Sequence, residues 1–423
     1  MVKNGRTSRQ RHTRCKLKKP KDISYHEEYV DFTKWMKCNG YKKATKLVPA
    51  EFEGTGRGLM TKERISAGHT LISIPEQLLI TSRSVLSSCL GPAIIKAKPK
   101  FTALQAMCLY LVYEKDKGKD SFWFPYFQIL PTSYTNALYW TSGEINLLPK
   151  QLQEKVTKQL LRAKSLFEKT ASFIKEACPE LKPCWDWAAF RWAWSTVNTR
   201  SIFMEYECDK PNVHLEQSEK DYYALAPYLD LLNHDPCAQI DAAFNRNSGC
   251  YEIMTRTPYQ KYDQVFICYG PHENEKLMIE YGFITDTNPH NAINFTLENV
   301  LEAAGSVGIQ MHPKCWQYME KYNLTKGLTC SEDGFSWNLG LTLNILPLQE
   351  NIQERIRQML TGDYPSLSDQ EQAKVHQLMS SLISCNLQKL KECLKAIGQP
   401  KSYHEEMIHS VTAEKLQLLQ MAM

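Results

Sequence analysis

Apolar residues recur at helical spacing from about residue 24 to 43. Tyr29, Phe32, Trp35 and Met36 fall on one face there, so an amphipathic helix is expected. Between about 45 and 80 the apolar runs shorten. The stretch KLVPAEFEGTGRGLMTKERISAGHTLISIP carries turn signals at Gly54 to Gly58 and at Ala67-Gly68, and with its β-rich TLISIP end it predicts a strand hairpin ended by Pro75. A long helical block comes next over about 101–218, interrupted by FWFPYFQILP at 122–131. Within it, Trp187, Phe190, Trp194 and Val197 predict one buried helix face. Strand character returns in ALAPYLDLLNHDP, AAFNRNSGCYEIMT and QVFICYG. From about 291 the pattern is helical to the end. Its clearest helix starts at Ser368 with a Ser368-x-x-Glu371 capping box and runs through Val375, Leu378, Leu382, Ile383, Leu387, Leu390 and Leu394 to Gly398, with Pro400 beyond. Strands, a helical insert, more strands and then helices predict an α+β chain with an all-α C-terminal part.

At 423 residues and 43% hydrophobic content, the chain is long enough for two ordinary domains or one large one with insertions. No run of eighteen apolar residues occurs and no apolar stretch succeeds the basic N-terminus, so neither a membrane span nor a secretory signal is expected, and the protein is expected to be soluble and intracellular. The 14 cysteines are scattered without a C-x-x-C pair, which predicts mostly buried free thiols and no structural zinc. Charge is uneven. Residues 1–21 hold nine Lys or Arg and no acid, leaving 42 basic against 46 acidic residues in the rest of the chain. That segment reads either as a nuclear-import or nucleic-acid-touching arm or as a solvated terminus.

Three stretches carry candidate chemistry. GTGRGL at 54–59 lacks the G-x-G-x-x-G and G-K-[ST] patterns, and the residues after it read as hairpin rather than helix, so phosphate binding is disfavoured. A plain turn and a close backbone approach to another ligand both stay open. PYLDLLNHD sets Asn233 and His234 side by side, supplying an amide and an imidazole for a polar ligand or for a self-satisfied turn. No G-x-S-x-G or H-E-x-x-H occurs, so local signatures of serine hydrolases and zinc proteases are missing. The third stretch, VFICYGPHENEKLMIEYGF, holds two Tyr-Gly pairs, Tyr269-Gly270 and Tyr281-Gly282, separated by a short amphipathic helix.

In this order GTGRGL, LDLLNH, VFICYG and EYGF resemble the SET-domain methyltransferases, in the branch typified by the plant Rubisco large-subunit lysine methyltransferase. FWFPYFQILP and the VNTR ahead of Asn233-His234 are marks of the same branch. The resemblance implies a SET domain over 23–290 with a helical insert at about 101–218 and a helical substrate-binding domain over 291–423. The basic tail at 1–22 lies outside it and is expected to be disordered. The resemblance also implies S-adenosylmethionine as cofactor, bordered by Gly56, Arg57 and Gly58. Arg200 would meet the cofactor's carboxylate end, and Asn233 and His234 would bind it through main-chain and side-chain hydrogen bonds. Asp230 would lie near the substrate. Tyr269 would be the central phenol, close to methyl donor and acceptor, while Tyr281 and Phe283 would wall the channel for the target side chain.

The activity so implied is protein-lysine N-methylation of a histone or non-histone substrate. Protein-histidine methylation on the same fold and a non-catalytic chromatin-associated binding module are the alternatives. Methyl transfer is an in-line displacement that needs alignment of a neutral amine more than a carboxylate pair. A cysteine-rich zinc module is not expected after EYGF, since Cys315, Cys330, Cys385 and Cys393 lie far apart. The expected partners are a protein substrate and, weakly through the tail, nucleic acid, with no membrane; the chain is expected to be a nuclear and cytoplasmic monomer.

Overall fold

The computed structural model describes residues 19–204, 214–216, 223–363 and 367–422. The tail up to Lys18, with the role expected of it, lies outside the described residues. Lys21 and Asp22 do not continue that tail but pair antiparallel with Glu51 and Ala50. They are held there because Asp22 takes an ion pair from Lys62 at 2.7 Å and a hydrogen bond from the Ser24 N–H at 2.9 Å.

The described residues group into two compact units, the first drawn from 1–131, 177–184 and 200–268, the second from 132–176, 185–199 and 269–423. The first unit carries strands β1 (Lys21–Asp22), β2 (Leu47–Phe52), β3 (Gly56–Thr61), β4 (Thr70–Pro75), β5 (Ile80–Thr81), β6 (Ser201–Phe203), β7 (Tyr223–Leu225), β8 (Asn233–His234), β9 (Ile240–Asn245), β10 (Cys250–Thr255) and β11 (Gln264–Ile267). They form three small sheets, in the orders β1-β2-β3-β11-β8, β4-β10-β9 and β5-β7-β6. The GTGRGL hairpin is β2–β3, whereas β4 leaves it and pairs with β10. Leu71, Ile72 and Ile74 of β4 are all buried, and its hydrogen-bonding partner lies nearly 180 residues away. The helix Glu27–Cys38 buries Tyr29, Phe32 and Met36 as its spacing predicts, with Phe32 stacked on Tyr228 and tilted against Tyr126.

The last described helix of the block ends at Arg200, most of 205–222 lies outside the described residues, and the interruption at 122–131 itself folds as the short helix Phe124–Ile129. In the helix Trp187–Arg200 every residue from Trp192 to Val197 is buried, which is more than one stripe, while Trp187 is only half-buried. Phe167 and Trp185 stack beside its start, their centroids 5.8 Å apart.

In the second unit the helix Asp369–Ile397 begins as the sequence predicts. Ser368 Oγ accepts the Glu371 N–H, and the Glu371 carboxylate accepts the Ser368 N–H, a cap worth about 1 kcal/mol. The Arg355 guanidinium forks onto Glu371 at 2.7 and 2.8 Å and holds its carboxyl down to about 2. Leu378, Leu382 and Ile383 of this helix enter a core with Leu339, Leu343 and Ile356. The part beyond 291 is not all helix. Strands β12 (Ala292–Asn294), β13 (Thr329–Ser331) and β14 (Gly334–Phe335) form a small antiparallel sheet, too short to leave a periodic signal in the sequence.

The cysteines depart from expectation as well. Of the twelve described, all free, four are buried: Cys108, Cys178, Cys315 and Cys330. Helix face decides the exposure of Cys385, which sits on the outer side of Asp369–Ile397.

Candidate active site

The β2–β3 turn answers the question its glycines raise. Gly54 and Gly56 take φ of +89° and +65°, the left-handed region where a side chain costs about 1–2 kcal/mol, so they serve the turn. Gly58 serves a close approach instead. A Cβ there would lie 2.6 Å from Gln264 Nε2 and 2.8 Å from Asn233 Nδ2. Both amides arrive by strand pairing, since β11 runs antiparallel to β3 and parallel to β8, setting Phe266 beside Asn233 and Ile267 beside His234. Asn233 Nδ2 then donates to Arg57 O at 3.0 Å and Thr55 O at 3.4 Å. Thr55 Oγ1 donates to Gln264 Oε1 at 2.8 Å, which leaves Gln264 Nε2 buried with no hydrogen-bond partner among the described residues.

The short β8 is delivered by a strained segment. Tyr228 has φ of +75° and is anchored by its hydroxyl, which donates to Leu47 O at 2.7 Å. Asp230 comes two residues later. Arg200, the last residue of its helix, donates through Nη1 to Asp230 O at 2.9 Å and to Oδ2 at 3.2 Å, and the Tyr126 hydroxyl donates to the same Oδ2 at 2.9 Å. The Asp230 side chain is fully enclosed and that of Arg200 is 18% exposed. The Asp230 carboxylate, expected beside the substrate, is turned toward Arg200 and Tyr126. Removing the carboxylate would strip the guanidinium of its enclosed countercharge in a largely dry place. Arg57 donates through Nη1 to the Tyr29 hydroxyl at 3.0 Å, and burial raises the pKa of that phenol against the pull of Arg57. His234 is buried.

The second unit holds the aromatic residues. Tyr269 lies 5.5 Å from Tyr281 and 6.2 Å from Phe283, centroid to centroid, and Tyr281 and Phe283 are 6.2 Å apart. All three are half-buried. Tyr281 ends a π turn over Leu277–Tyr281, closed by Gly282 N–H to Leu277 O at 2.8 Å. Such one-turn insertions recur at functional sites. Gly282 comes next at φ +81°, packed so closely on Thr135 and Asn136 that a Cβ would overlap them. Sequence reading missed His272, whose ring stacks on Tyr281 at 6.0 Å. Burial lowers its pKa, nearby Lys276 and His290 lower it further, and the Tyr269 main chain opposes them, a balance that favours the uncharged ring. Its position two residues after Tyr269-Gly270 was the available signal.

The sequence-named residues therefore fall into three groups: Gly56, Arg57, Gly58, Asn233 and His234 about the β2–β3 turn, Arg200 with Asp230, and the Tyr269, Tyr281 and Phe283 rings. The first two fit a zwitterionic, nucleoside-like cofactor. They supply a backbone stripped of Cβ at Gly58, a buried amide donor at Gln264 Nε2 and a guanidinium fixed by its own buried carboxylate. The third offers apolar ring faces and phenols.

A family model described as the SET domain matches residues 56–270. The chain is 38% identical over 370 residues to SET domain-containing protein 4 of Mus musculus, covering 85% of this chain and 82% of that protein. It is 34% identical over 418 residues to SET domain-containing protein 4 of Homo sapiens, covering 96% and 92%. Among solved structures, the SET domain of LSMT bound to lysine and AdoHcy superposes with a TM-score of 0.63 at 18% identity, over 94% of this chain and 90% of that one, a likeness of fold.

Proposed function

Since the chain belongs to the SET-domain family and so to the S-adenosylmethionine-dependent protein methyltransferases, we propose that it methylates a lysine side chain of a protein substrate. The observation that carries this reading is the aromatic trio. The three rings pack on one another, 5.5 to 6.2 Å between centroids, and together offer half-buried apolar faces for a straight aliphatic stem to lie against. Such walls also disfavour the ammonium form of a lysine, whose free pKa is about 10.4, and so help deliver the neutral amine.

S-adenosylmethionine supplies a methyl group on a cationic sulfonium, open to in-line attack. The chain's own residues do the positioning. The Gly56 to Gly58 backbone and the Asn233 and Gln264 amides bind the cofactor's polar edge, while Arg200, steadied by Asp230 and Tyr126, takes its carboxylate. The Tyr269 hydroxyl hydrogen-bonds the amine and aims its lone pair. Tyr281 and Phe283 exclude water from the stem.

Labelled S-adenosylmethionine, incubated with the protein, core histones and a cell extract, is expected to label lysine as read by mass spectrometry. Label on histidine would overturn the lysine assignment, and no label with no cofactor binding by calorimetry would overturn the enzymatic one. Gly58→Ala is expected to weaken cofactor binding about tenfold, because its Cβ displaces two amides at the turn. Unaltered affinity in the calorimeter would remove those amides from the binding site.

A further inference from the structure

The segment that bears Tyr281 and Phe283 is closed on itself by one carboxamide. Asn274 Oδ1 accepts from the Thr285 N–H at 3.1 Å and from its hydroxyl at 3.2 Å, and Asn274 Nδ2 donates back to Thr285 O at 2.9 Å. Asn274 is 2% exposed, so this closure is dry. Its own N–H donates to Asn291 Oδ1 at 2.7 Å. Asn288, also buried, adds a bond from Nδ2 to His272 O at 2.9 Å.

Main-chain N–H groups thereby fix the polarity of two carboxamides. Because an N–H can only donate, Asn274 must turn Oδ1 to Thr285 and Asn291 must turn Oδ1 to Asn274, which points both NH2 groups the other way. Both meet Glu414 of the helix Tyr403–Met421. Asn274 Nδ2 donates to Glu414 Oε2 at 3.0 Å, and Asn291 Nδ2 donates to Glu414 Oε1. Burial raises the pKa of Glu414, and the two amide donors and Lys415 oppose that rise. Two donors facing one group require two acceptors. A carboxylate offers an oxygen to each, whereas a carboxamide in its place sets an NH2 against one of them. Next to it Lys415 pairs with Glu275, which lies in the same segment as Asn274.

We propose that Glu414 is a positioning residue for the acceptor channel, holding the loop from Asn274 to Thr285, and with it Tyr281 and Phe283, through the Asn274 and Asn291 carboxamides. This rests on the reading of those rings as the channel for the target side chain. Glu414 touches no reacting atom, and its effect runs through loop placement.

The test is an exchange of carboxylate and carboxamide. Glu414→Gln sets an NH2 against an NH2 and should raise amide hydrogen exchange over residues 277–285 and lower kcat about tenfold, with cofactor affinity unchanged. Adding Asn291→Asp restores the pattern. The new carboxylate at 291 accepts from the Asn274 N–H and from the NH2 now at position 414, whose carboxamide oxygen accepts from Asn274, and the net charge of the cluster is that of the wild type. The double variant should return exchange and kcat to within about threefold of wild type. A general loss of stability would not be repaired by a second substitution in this manner. A single variant with wild-type exchange and kcat, or a double variant no better than the single, would overturn the proposal. Should the wild type transfer no methyl group, the enzymatic reading fails on its own. The exchange data then decide, recovery in the double variant supporting the clamp and its absence overturning it.

Discussion

Tyr269→Phe is expected to lower methyl transfer about a hundredfold while leaving cofactor affinity and thermal stability close to wild type. The substitution keeps the ring and so keeps its packing against Tyr281 and Phe283, at 5.5 and 6.2 Å. Only the hydroxyl is lost. If that oxygen aims the amine, its removal acts on the transition state and emerges in kcat rather than in KM. Single-turnover kinetics with labelled cofactor would measure it. A variant with full turnover would show that the phenol packs and does nothing more, and the alignment would then have to come from the ring walls alone.

Gly282→Ala is expected to cost about 4 kcal/mol, placing it among the rare, severe single substitutions. Two penalties combine. The residue sits at φ +81°, where an alanine pays about 1–2 kcal/mol in backbone sterics. Its Cβ would also lie 2.3 Å from Thr135 Oγ1, 2.5 Å from Thr135 C and 2.6 Å from Asn136 N. The main chain there cannot yield easily, since Trp140 Nε1 donates to Thr135 O at 2.9 Å, Thr135 Oγ1 donates to Gly282 O at 2.7 Å and Asn136 is wholly buried. Urea denaturation would read the loss, and a cost below about 1 kcal/mol would mean the segment relaxes more freely than its hydrogen bonds imply.

The features legible in the sequence are local ones. The helix at Glu27–Cys38, the turn at Gly54 to Gly58 and the capped start at Ser368 depend on spacings of three or four residues, and all three stand where the pattern puts them. The partner of β4 could not be read, because nothing near TLISIP encodes a pairing with residues 250–255. The same holds for Asp230. Its motif marks it as functional, but only the fold shows that Arg200 and Tyr126 occupy its carboxylate, from 30 and 104 residues away. The π turn ahead of Gly282 leaves little trace because one added residue barely perturbs a helical pattern. Glu414 is equally hidden, since a glutamate in an amphipathic helix reads as solvated until the two asparagines opposite it are known.

The tie between the Asn233 amide and the carbonyls of Thr55 and Arg57 has a consequence for synthesis. The glycine turn leaves the ribosome some 176 residues ahead of the side chain that fastens it. At about 5–20 residues per second, it waits roughly 10 to 40 s before that amide exists. During that interval β2 and β3 can pair, but the carbonyls at the turn have only water to hold them. Assembly of this corner is therefore a late event in the nascent chain, and a chain halted before Asn233 would carry the hairpin without its fastening.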